Sequence, residues 1–145
     1  MSKLYFILIL VIAIVFSACG LKRSNPLDPG ANPGIEIPGT PAGLGYTTSG
    51  AGADVKFVNL TWDSNSSINT DGYYVYRSLG YFNTFAVVDT VLHIPGAPTQ
   101  SYVHSSENDP SVMRGDYWYR VSAFKIYQGG RLEGRYSEPL FVRLP

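Results

Sequence analysis

The sequence has few of the residues that support disulfide bonding, metal binding or catalysis. It contains one cysteine, Cys19, so no disulfide can form within the chain. Eleven lysines and arginines balance eleven aspartates and glutamates, which gives no reason to expect nucleic acid as a partner. Of the two histidines, His93 and His104, neither has the further ligands that zinc requires. We therefore predict no metal site, no cofactor and no catalytic residues.

Long hydrophobic runs are also absent, except at the N-terminus. There, one basic residue, Lys3, precedes thirteen apolar residues from Leu4 to Phe16, and small residues follow. As a helix this run would be roughly 20 Å long, well short of the ~30 Å hydrocarbon core of a bilayer. The pattern predicts a secretory signal peptide over residues 1–18 rather than a transmembrane helix.

The cysteine lies where such a signal peptide would be cleaved. The stretch "FSAC" resembles the lipobox of bacterial lipoproteins, with Phe16 where leucine is usual. The resemblance implies cleavage before Cys19 and attachment of acyl chains such as palmitate, which anchor the protein because each buried CH₂ contributes about 0.8 kcal/mol. In bacteria that sort lipoproteins by the residue after the cysteine, Gly20 resembles an outer-membrane signal. The resemblance implies a protein on the outer membrane that faces either the periplasm or the outside. The alternative is an ordinary signal peptide with an incidental cysteine.

Residues 19–40 predict a linker between the lipid and a folded domain. Five of the ten prolines lie between Pro26 and Pro41, with glycines among them. Proline removes backbone donors and favours extended segments, so twenty such residues could reach about 60 Å. We predict a semi-rigid tether that holds the domain away from the membrane.

The pattern changes to strict alternation in residues 41–145. "VNLTW" places Val58, Leu60 and Trp62 on one face and polar residues on the other, as in a half-buried strand. "YYVYRS", "YWYRVSAF" and "LFVRL" alternate in the same way, whereas "QGGRLEGRYS" carries three glycines and predicts a hairpin loop. No stretch has a helical period. Short strands separated by turn residues indicate an antiparallel β-sandwich or small barrel.

Together, "LTW", "GYYVYRS", "TQSYV", "DYWYRVSAF" and "YSEPLFV" resemble strands B, C, E, F and G of a fibronectin type III domain. The resemblance implies an all-β, seven-stranded antiparallel immunoglobulin-like sandwich over residues 41–145. It also implies structural roles for Trp62 in the core and for Tyr117 as the tyrosine-corner residue, whose hydroxyl bonds nearby backbone. The family often has a Leu-x-Pro-Gly-Thr pattern before this tyrosine, of which "SVMRGD" keeps only Gly115.

Strands C, F and G share one sheet in this fold, so their outward side chains form a candidate binding face. The predicted outward residues are Tyr74, Tyr76, Trp118, Arg120, Phe124, Phe141 and Arg143. Aromatic residues with arginine are favoured at protein interfaces, and aromatic rings also stack on sugars. The same residues could simply stabilise the sheet through cross-strand pairs.

Three functions remain open on the sequence alone. The first is a non-catalytic, membrane-anchored lipoprotein of the bacterial envelope that acts as a protein-interaction or spacer module. The second is a carbohydrate-binding envelope module that stacks polysaccharide on the aromatic face, and the third is an accessory subunit of an enzyme. The tripeptide Arg114-Gly115-Asp116 resembles an integrin-binding signal, but its place before strand F predicts a turn instead.

Overall fold

The computed structural model describes residue 25 and residues 27–145, so the predicted signal peptide and Cys19 lie outside the described residues. The described chain forms strands joined by turns. The strands are β1 (Gly45–Thr48), β2 (Phe57–Asp63), β3 (Gly72–Ser78), β4 (Ala86–Leu92), β5 (Thr99–Ser105), β6 (Gly115–Tyr127), β7 (Gly130–Tyr136) and β8 (Leu140–Leu144). Within these residues there is no helix of the length and apolarity needed to cross a membrane.

Two antiparallel sheets pack face to face. One has the order β1-β2-β5, and the other has the order β4-β3-β6-β7, with β8 also pairing with β6. The predicted strands B, C, E and F correspond to β2, β3, β5 and β6. Because successive side chains of a strand point to opposite faces, each of these strands contributes one face to the interior of the sandwich.

The core lies between the sheets and is rich in aromatic rings. Trp62 is 1 % exposed, and its ring contacts Tyr73 edge to face with the two centroids 5.3 Å apart. The buried core residues are Val58, Leu60, Trp62, Tyr73, Val75, Val112, Tyr117, Tyr119, Val121, Ala123, Val142 and Leu144. These are the inward positions of the alternating strands, together with one residue, Val112, from the connection between β5 and β6.

The structure has eight strands where seven were predicted, because the sequence before the predicted last strand, which was expected to be a loop, forms β7. Both β7 and β8 pair with β6, β7 along its second half and β8 along its first. Between them, the Ser137 N–H donates to the Val121 carbonyl (2.8 Å), and the Ser137 Oγ accepts from the Val121 N–H (3.0 Å). Pro139, two residues after Ser137, has no N–H to donate to the ladder, so the pairing is interrupted there.

The region predicted as a glycine-rich loop is mostly strand. Gln128 and Gly129 both have positive φ, 48° and 81°, as a two-residue hairpin turn of type I′ requires. Gly130 then pairs directly with Tyr127, and β7 continues to Tyr136. The loop prediction was therefore too long, because the tight turn needs only two residues and β6 supplies a pairing partner for the residues after the turn.

The connection between β5 and β6 is held by Tyr117. The Tyr117 hydroxyl donates to the Met113 carbonyl (2.7 Å) and accepts from the Met113 N–H (3.1 Å). Val112, beside it, is 1 % exposed and belongs to the core. The Tyr117 hydrogen bonds and the burial of Val112 hold this connection in place. It is here that the sequence departs from the Leu-x-Pro-Gly-Thr pattern of the family.

The described part of the linker contacts the domain, whereas a semi-rigid tether that holds the domain away from the membrane was expected. The Asn65 side-chain amide donates to the Gly39 carbonyl (2.8 Å), and the Asn69 amide donates to the Ile37 carbonyl (3.1 Å). Backbone carbonyls in an extended proline-rich segment have no internal partners, so asparagines of the domain can bind them. The segment therefore lies along the domain at this end of the sandwich.

Candidate functional site

The predicted face is the outer surface of the five-stranded sheet, and its side chains fall into two groups. We call the first the covered cluster. It consists of Tyr74, Tyr76, Phe85, Arg120, Phe124, Arg131, Glu133 and Tyr136. We call the second the aromatic ridge. It consists of Tyr81, Phe82, Trp118 and Phe141.

Arg120 lies across the centre of the covered cluster. Its guanidinium carbon is 3.9 Å from the ring centroid of Tyr136, 4.2 Å from that of Phe85 and 5.5 Å from that of Tyr76. A guanidinium at such distances is attracted to the negative faces of the rings. Tyr76 is consequently only 7 % exposed, although its side chain points away from the core.

Arg131 covers the other side of the same cluster. Its guanidinium carbon is 4.9 Å from the ring centroid of Phe124, and one guanidinium nitrogen donates to the Tyr74 hydroxyl (3.0 Å). Phe124 also packs on Tyr74 and is 0 % exposed. The expectation that Tyr76 and Phe124 are exposed is therefore not met. Alternation predicts only the side of the sheet, and long arginine side chains from neighbouring positions cover these rings.

Several polar groups of the covered cluster bind one another, whereas Nε of Arg120 is buried without a hydrogen-bond partner. Both the Tyr76 hydroxyl and the Ser122 hydroxyl donate to Oε1 of Glu133. Burial, together with this carboxylate, raises the pKa of Tyr76 well above its usual value, so the hydroxyl keeps its proton. Since its hydroxyls and its carboxylate already bind one another, the covered cluster has the character of sheet packing rather than of a ligand site.

The aromatic ridge, by contrast, is a continuous row of four rings, of which Trp118 is half-buried and the other three are exposed. The Phe82 and Tyr81 centroids are 4.9 Å apart, those of Tyr81 and Trp118 5.0 Å, and those of Trp118 and Phe141 5.1 Å. Phe82 is 96 % exposed, Tyr81 48 % and Phe141 38 %. Large apolar side chains that form a contiguous exposed patch mark an interaction surface more often than isolated ones do.

Two of the four ridge residues, Trp118 and Phe141, are among the predicted outward positions, whereas Tyr81 and Phe82 are not. The latter two lie in the turn between β3 and β4, which no strand alternation covers. The sequence does place two adjacent aromatic residues in a turn, which is unusual enough to suggest exposed rings there. Only the packing of this turn against the sheet shows that Tyr81 meets Trp118.

One end of the ridge is bordered by an ion pair. Arg143 donates to the two carboxylate oxygens of Asp116 (2.8 and 3.0 Å), and its guanidinium carbon is 5.7 Å from the Phe141 centroid. The hydrogen bonds from Arg143 lower the pKa of Asp116. Asp116 is also the acidic residue of the Arg114-Gly115-Asp116 tripeptide, and it lies in β6 beside Gly115, where that strand begins. The tripeptide is therefore not at the tip of a protruding loop.

His93 forms a serine–histidine pair without the geometry of a catalytic triad. Its Nε2 is 2.8 Å from the Ser67 hydroxyl, and its Nδ1 is 3.1 Å from the Tyr73 hydroxyl. The Tyr73 oxygen also accepts from the Asn65 N–H (3.0 Å). The group that orients Nδ1 is therefore a tyrosine hydroxyl rather than the buried carboxylate of a catalytic triad.

His104 is a structural residue of the interior. It is 1 % exposed, with Nδ1 2.9 Å from the Tyr119 hydroxyl and Nε2 3.0 Å from the Asp109 carboxylate. Hydrogen bonds from Ser111 and then from His104 lower the pKa of Asp109, and Arg77 lies 3.5 Å from the same carboxylate. Burial lowers the pKa of His104, so the imidazole is neutral. Its two nitrogens are both engaged, and no substrate could reach them.

The remaining features of the described chain offer no site for metal or acid–base chemistry. No group of three or more histidine, cysteine, aspartate or glutamate residues is placed to hold a metal ion in residues 27–145. A cleft of about 340 Å³ lies where β1 and β8 begin, and its walls contain one ionisable side chain, Glu138. A general acid or base needs a second positioned group to act with it.

Comparison with known proteins identifies the fold and nothing further. No protein-family model matches the sequence, and a search of curated proteins also finds no match. The crystal structure of an Fn3-like protein from Clostridium thermocellum is similar, with a TM-score of 0.51 and 23 % sequence identity, over 76 % of this chain and 96 % of that chain. The predicted all-β, fibronectin type III-like sandwich is thereby confirmed.

Proposed function

We propose that this fibronectin type III-like chain is a non-catalytic protein-interaction module of the bacterial cell envelope, anchored to a membrane by lipid on Cys19. The observation that carries the proposal is the aromatic ridge. Four rings in continuous contact, one of them 96 % exposed, present a contiguous apolar surface to solvent. Buried aromatic anchors dominate the energy of protein interfaces, and a protein partner would bury these rings.

The shape of the ridge favours a protein partner over a polysaccharide. Successive rings are tilted by 83°, 75° and 53° with respect to one another, so they do not form a flat platform. Stacking on successive sugars requires ring faces that lie in one plane, whereas an irregular apolar surface suits the side chains of a protein. The Arg143–Asp116 ion pair beside Phe141 adds a polar rim of the kind found around protein interfaces.

Photo-cross-linking at the ridge tests this proposal. A photoreactive phenylalanine analogue is placed at Phe82 or, as the control, at Ile68, which is 87 % exposed but lies outside the ridge. In whole cells we expect one discrete protein adduct from position 82 and none from position 68. Trp118→Ala in the same chain should lower the yield of this adduct at least about fivefold, which corresponds to roughly 1 kcal/mol.

The other outcomes separate the remaining functions. An adduct that carries saccharide instead of protein would support the carbohydrate-binding alternative. If position 82 gives no adduct above the level of position 68, the ridge is not an interface, and the domain is better described as a spacer.

Anchoring is proposed from the sequence, since Cys19 follows a short apolar run and small residues. Replacement of Cys19 by serine removes the thiol that would be acylated. We expect this variant to appear in the soluble envelope fraction or to remain as an unprocessed precursor. A Cys19→Ser protein that is processed and still fully bound to membranes would contradict lipid anchoring.

A further inference from the structure

The proline- and glycine-rich segment before β1 is bound to one end of the sandwich, and we call residues 27–39 the docked segment. In addition to the bonds that Ile37 and Gly39 accept from asparagines, the Glu36 N–H donates to the Tyr127 hydroxyl (3.3 Å), and that hydroxyl also lies 3.4 Å from the Glu36 carbonyl. The contacts therefore come from two regions of the domain, the end of β6 and the connection between β2 and β3.

Two glycines of β7 allow this segment to approach closely. A Cβ atom on Gly134 would lie 2.4 Å from the Pro38 carbonyl oxygen, and one on Gly130 would lie 2.8 Å from a methyl carbon of Leu27. Neither glycine has positive φ, although Gly134 lies where the register of β7 against β6 shifts. Glycine inside a strand often marks a bulge or a place where another part of the chain passes close by, and both apply at Gly134.

The docked segment also has internal order. The Asp28 carbonyl accepts from the Ala31 and Asn32 N–H groups (both 3.0 Å), and the Asn32 carbonyl accepts from the Ile35 N–H (2.9 Å). These turns shorten the segment, because an extended chain of the same length would reach much farther. Residues 27–35 are consequently not an extended tether.

Docking changes how far the domain can lie from a lipid on Cys19. If the linker were free as far as Pro41, its 22 residues would reach roughly 70 Å at about 3.1 Å per residue. With Leu27 held at Gly130, only eight residues remain before the anchor, and they reach about 25 Å. The point of attachment is then the β6–β7 hairpin.

The aromatic ridge lies at the opposite end of β6 from this hairpin. Trp118 is nine residues before Tyr127 in β6, which places them about 30 Å apart along the strand. This separation of Trp118 and Tyr127 is similar to the reach of about 25 Å of the eight residues that precede Leu27. A domain held by its hairpin end therefore carries the ridge at its far end.

We propose that the docked segment orients the domain on the membrane, with the β6–β7 hairpin toward the lipid surface and the aromatic ridge toward partners in the aqueous compartment. The proposal rests on the lipid anchor of the proposed function. It differs from a flexible-tether arrangement, in which the domain would rotate freely and the hairpin and the ridge would lie at similar average distances from the membrane.

Energy transfer to a lipid-headgroup acceptor tests the orientation. The full lipidated chain is reconstituted in vesicles of phosphatidylethanolamine and phosphatidylglycerol. Because acylation occupies the thiol of the only cysteine, Ile126→Cys at the hairpin and Thr84→Cys beside the ridge each provide one free thiol for a donor dye. We expect at least about twofold higher transfer from position 126 than from position 84.

Release of the docked segment should abolish this difference. Gly134→Val places a side chain against the Pro38 carbonyl, whereas Gly52→Val, the matched control, meets nothing within 4 Å. We expect the ratio of the two transfer efficiencies to fall toward one in Gly134→Val and to stay unchanged in Gly52→Val. Should Gly134→Val not fold, the double variant Asn65→Ala and Asn69→Ala removes two bonds to the segment without altering β7 and should give the same result.

Two results would overturn the orientation. One is equal transfer from both positions in the native sequence, and the other is a ratio that survives release of the segment by a folded variant. Failure of the anchor is recognised separately, because a chain without lipid would not float with the vesicles at all. A chain that floats but gives equal transfer contradicts only the orientation.

Discussion

Replacement of Arg120 by alanine should destabilise the domain by roughly 1.5–3 kcal/mol, because the guanidinium contacts three aromatic rings that are otherwise exposed to water. The three distances to the ring centroids are 3.9, 4.2 and 5.5 Å. Each such contact contributes about 0.5–1 kcal/mol at a partly exposed site. For a domain of this size, 1 kcal/mol corresponds to a shift in Tm of about 4–8 °C, so we expect Tm to fall by at least about 6 °C.

Thermal unfolding of the detergent-solubilised chain, followed by tryptophan fluorescence, measures this change. Arg143→Ala is the matched control, since Arg143 lies on the same face but its side chain is 71 % exposed. Exposed ion pairs contribute little, so the control should shift Tm much less. Arg120→Met retains much of the aliphatic packing without the charge, and its Tm should lie between those of the native chain and Arg120→Ala.

Equal values of Tm for Arg120→Ala and Arg143→Ala would refute the argument that the covered cluster is sheet packing. The same result would support a ligand site at Tyr76 and its neighbours. A fall in Tm for Arg120→Met as large as that for Arg120→Ala would show that the charge, rather than the packing of the stem, provides the stabilisation.

Three further predictions concern stability. Tyr117→Phe removes the hydroxyl that bonds both backbone groups of Met113. Urea unfolding should show that the free energy of unfolding falls by about 1–2 kcal/mol. An unchanged urea midpoint would contradict a structural role for the hydroxyl. Gly72→Ala would place a Cβ atom 2.6 Å from the Phe124 ring, so we expect a loss of about 1–3 kcal/mol, and native stability would show that this ring is free to move. Burial lowers the pKa of His104, so the unfolded chain binds a proton at a higher pH than the folded chain does. Stability should therefore fall as the pH is lowered below about 6.5, and equal urea midpoints at about pH 7.5 and pH 5.5 would contradict this.

The strands of the core could be predicted because their alternation is strong. Val58, Leu60 and Trp62 recur at every second position, and burial of one face of a strand requires this period. The second strand of the β6–β7 hairpin was missed, since Gly130 and Gly134 weaken the signal of a strand. Its pairing with β6 and its contacts with the docked segment are interactions between distant parts of the chain.

The outward positions of the candidate site were predictable, but their exposure was not. Alternation indicates that Tyr76 and Phe124 point away from the core. Whether such a ring is open to solvent depends on the side chains around it, and here Arg120 and Arg131 cover both rings. Phe82 shows the converse, because a turn residue with no predicted role is 96 % exposed at the end of the aromatic ridge.

Local sequence patterns are sufficient to predict the all-β class, the residues that face the core and an anchored envelope protein. Both the alternation of a strand and the basic, apolar and small-residue regions of a signal peptide depend only on residues that are close together in the sequence. The division of the outer face into a covered cluster and an aromatic ridge, and the docking of the linker on the hairpin end, depend instead on contacts in the folded chain. Such contacts join residues far apart in sequence, such as Pro38 with Gly134, so no local pattern reveals them.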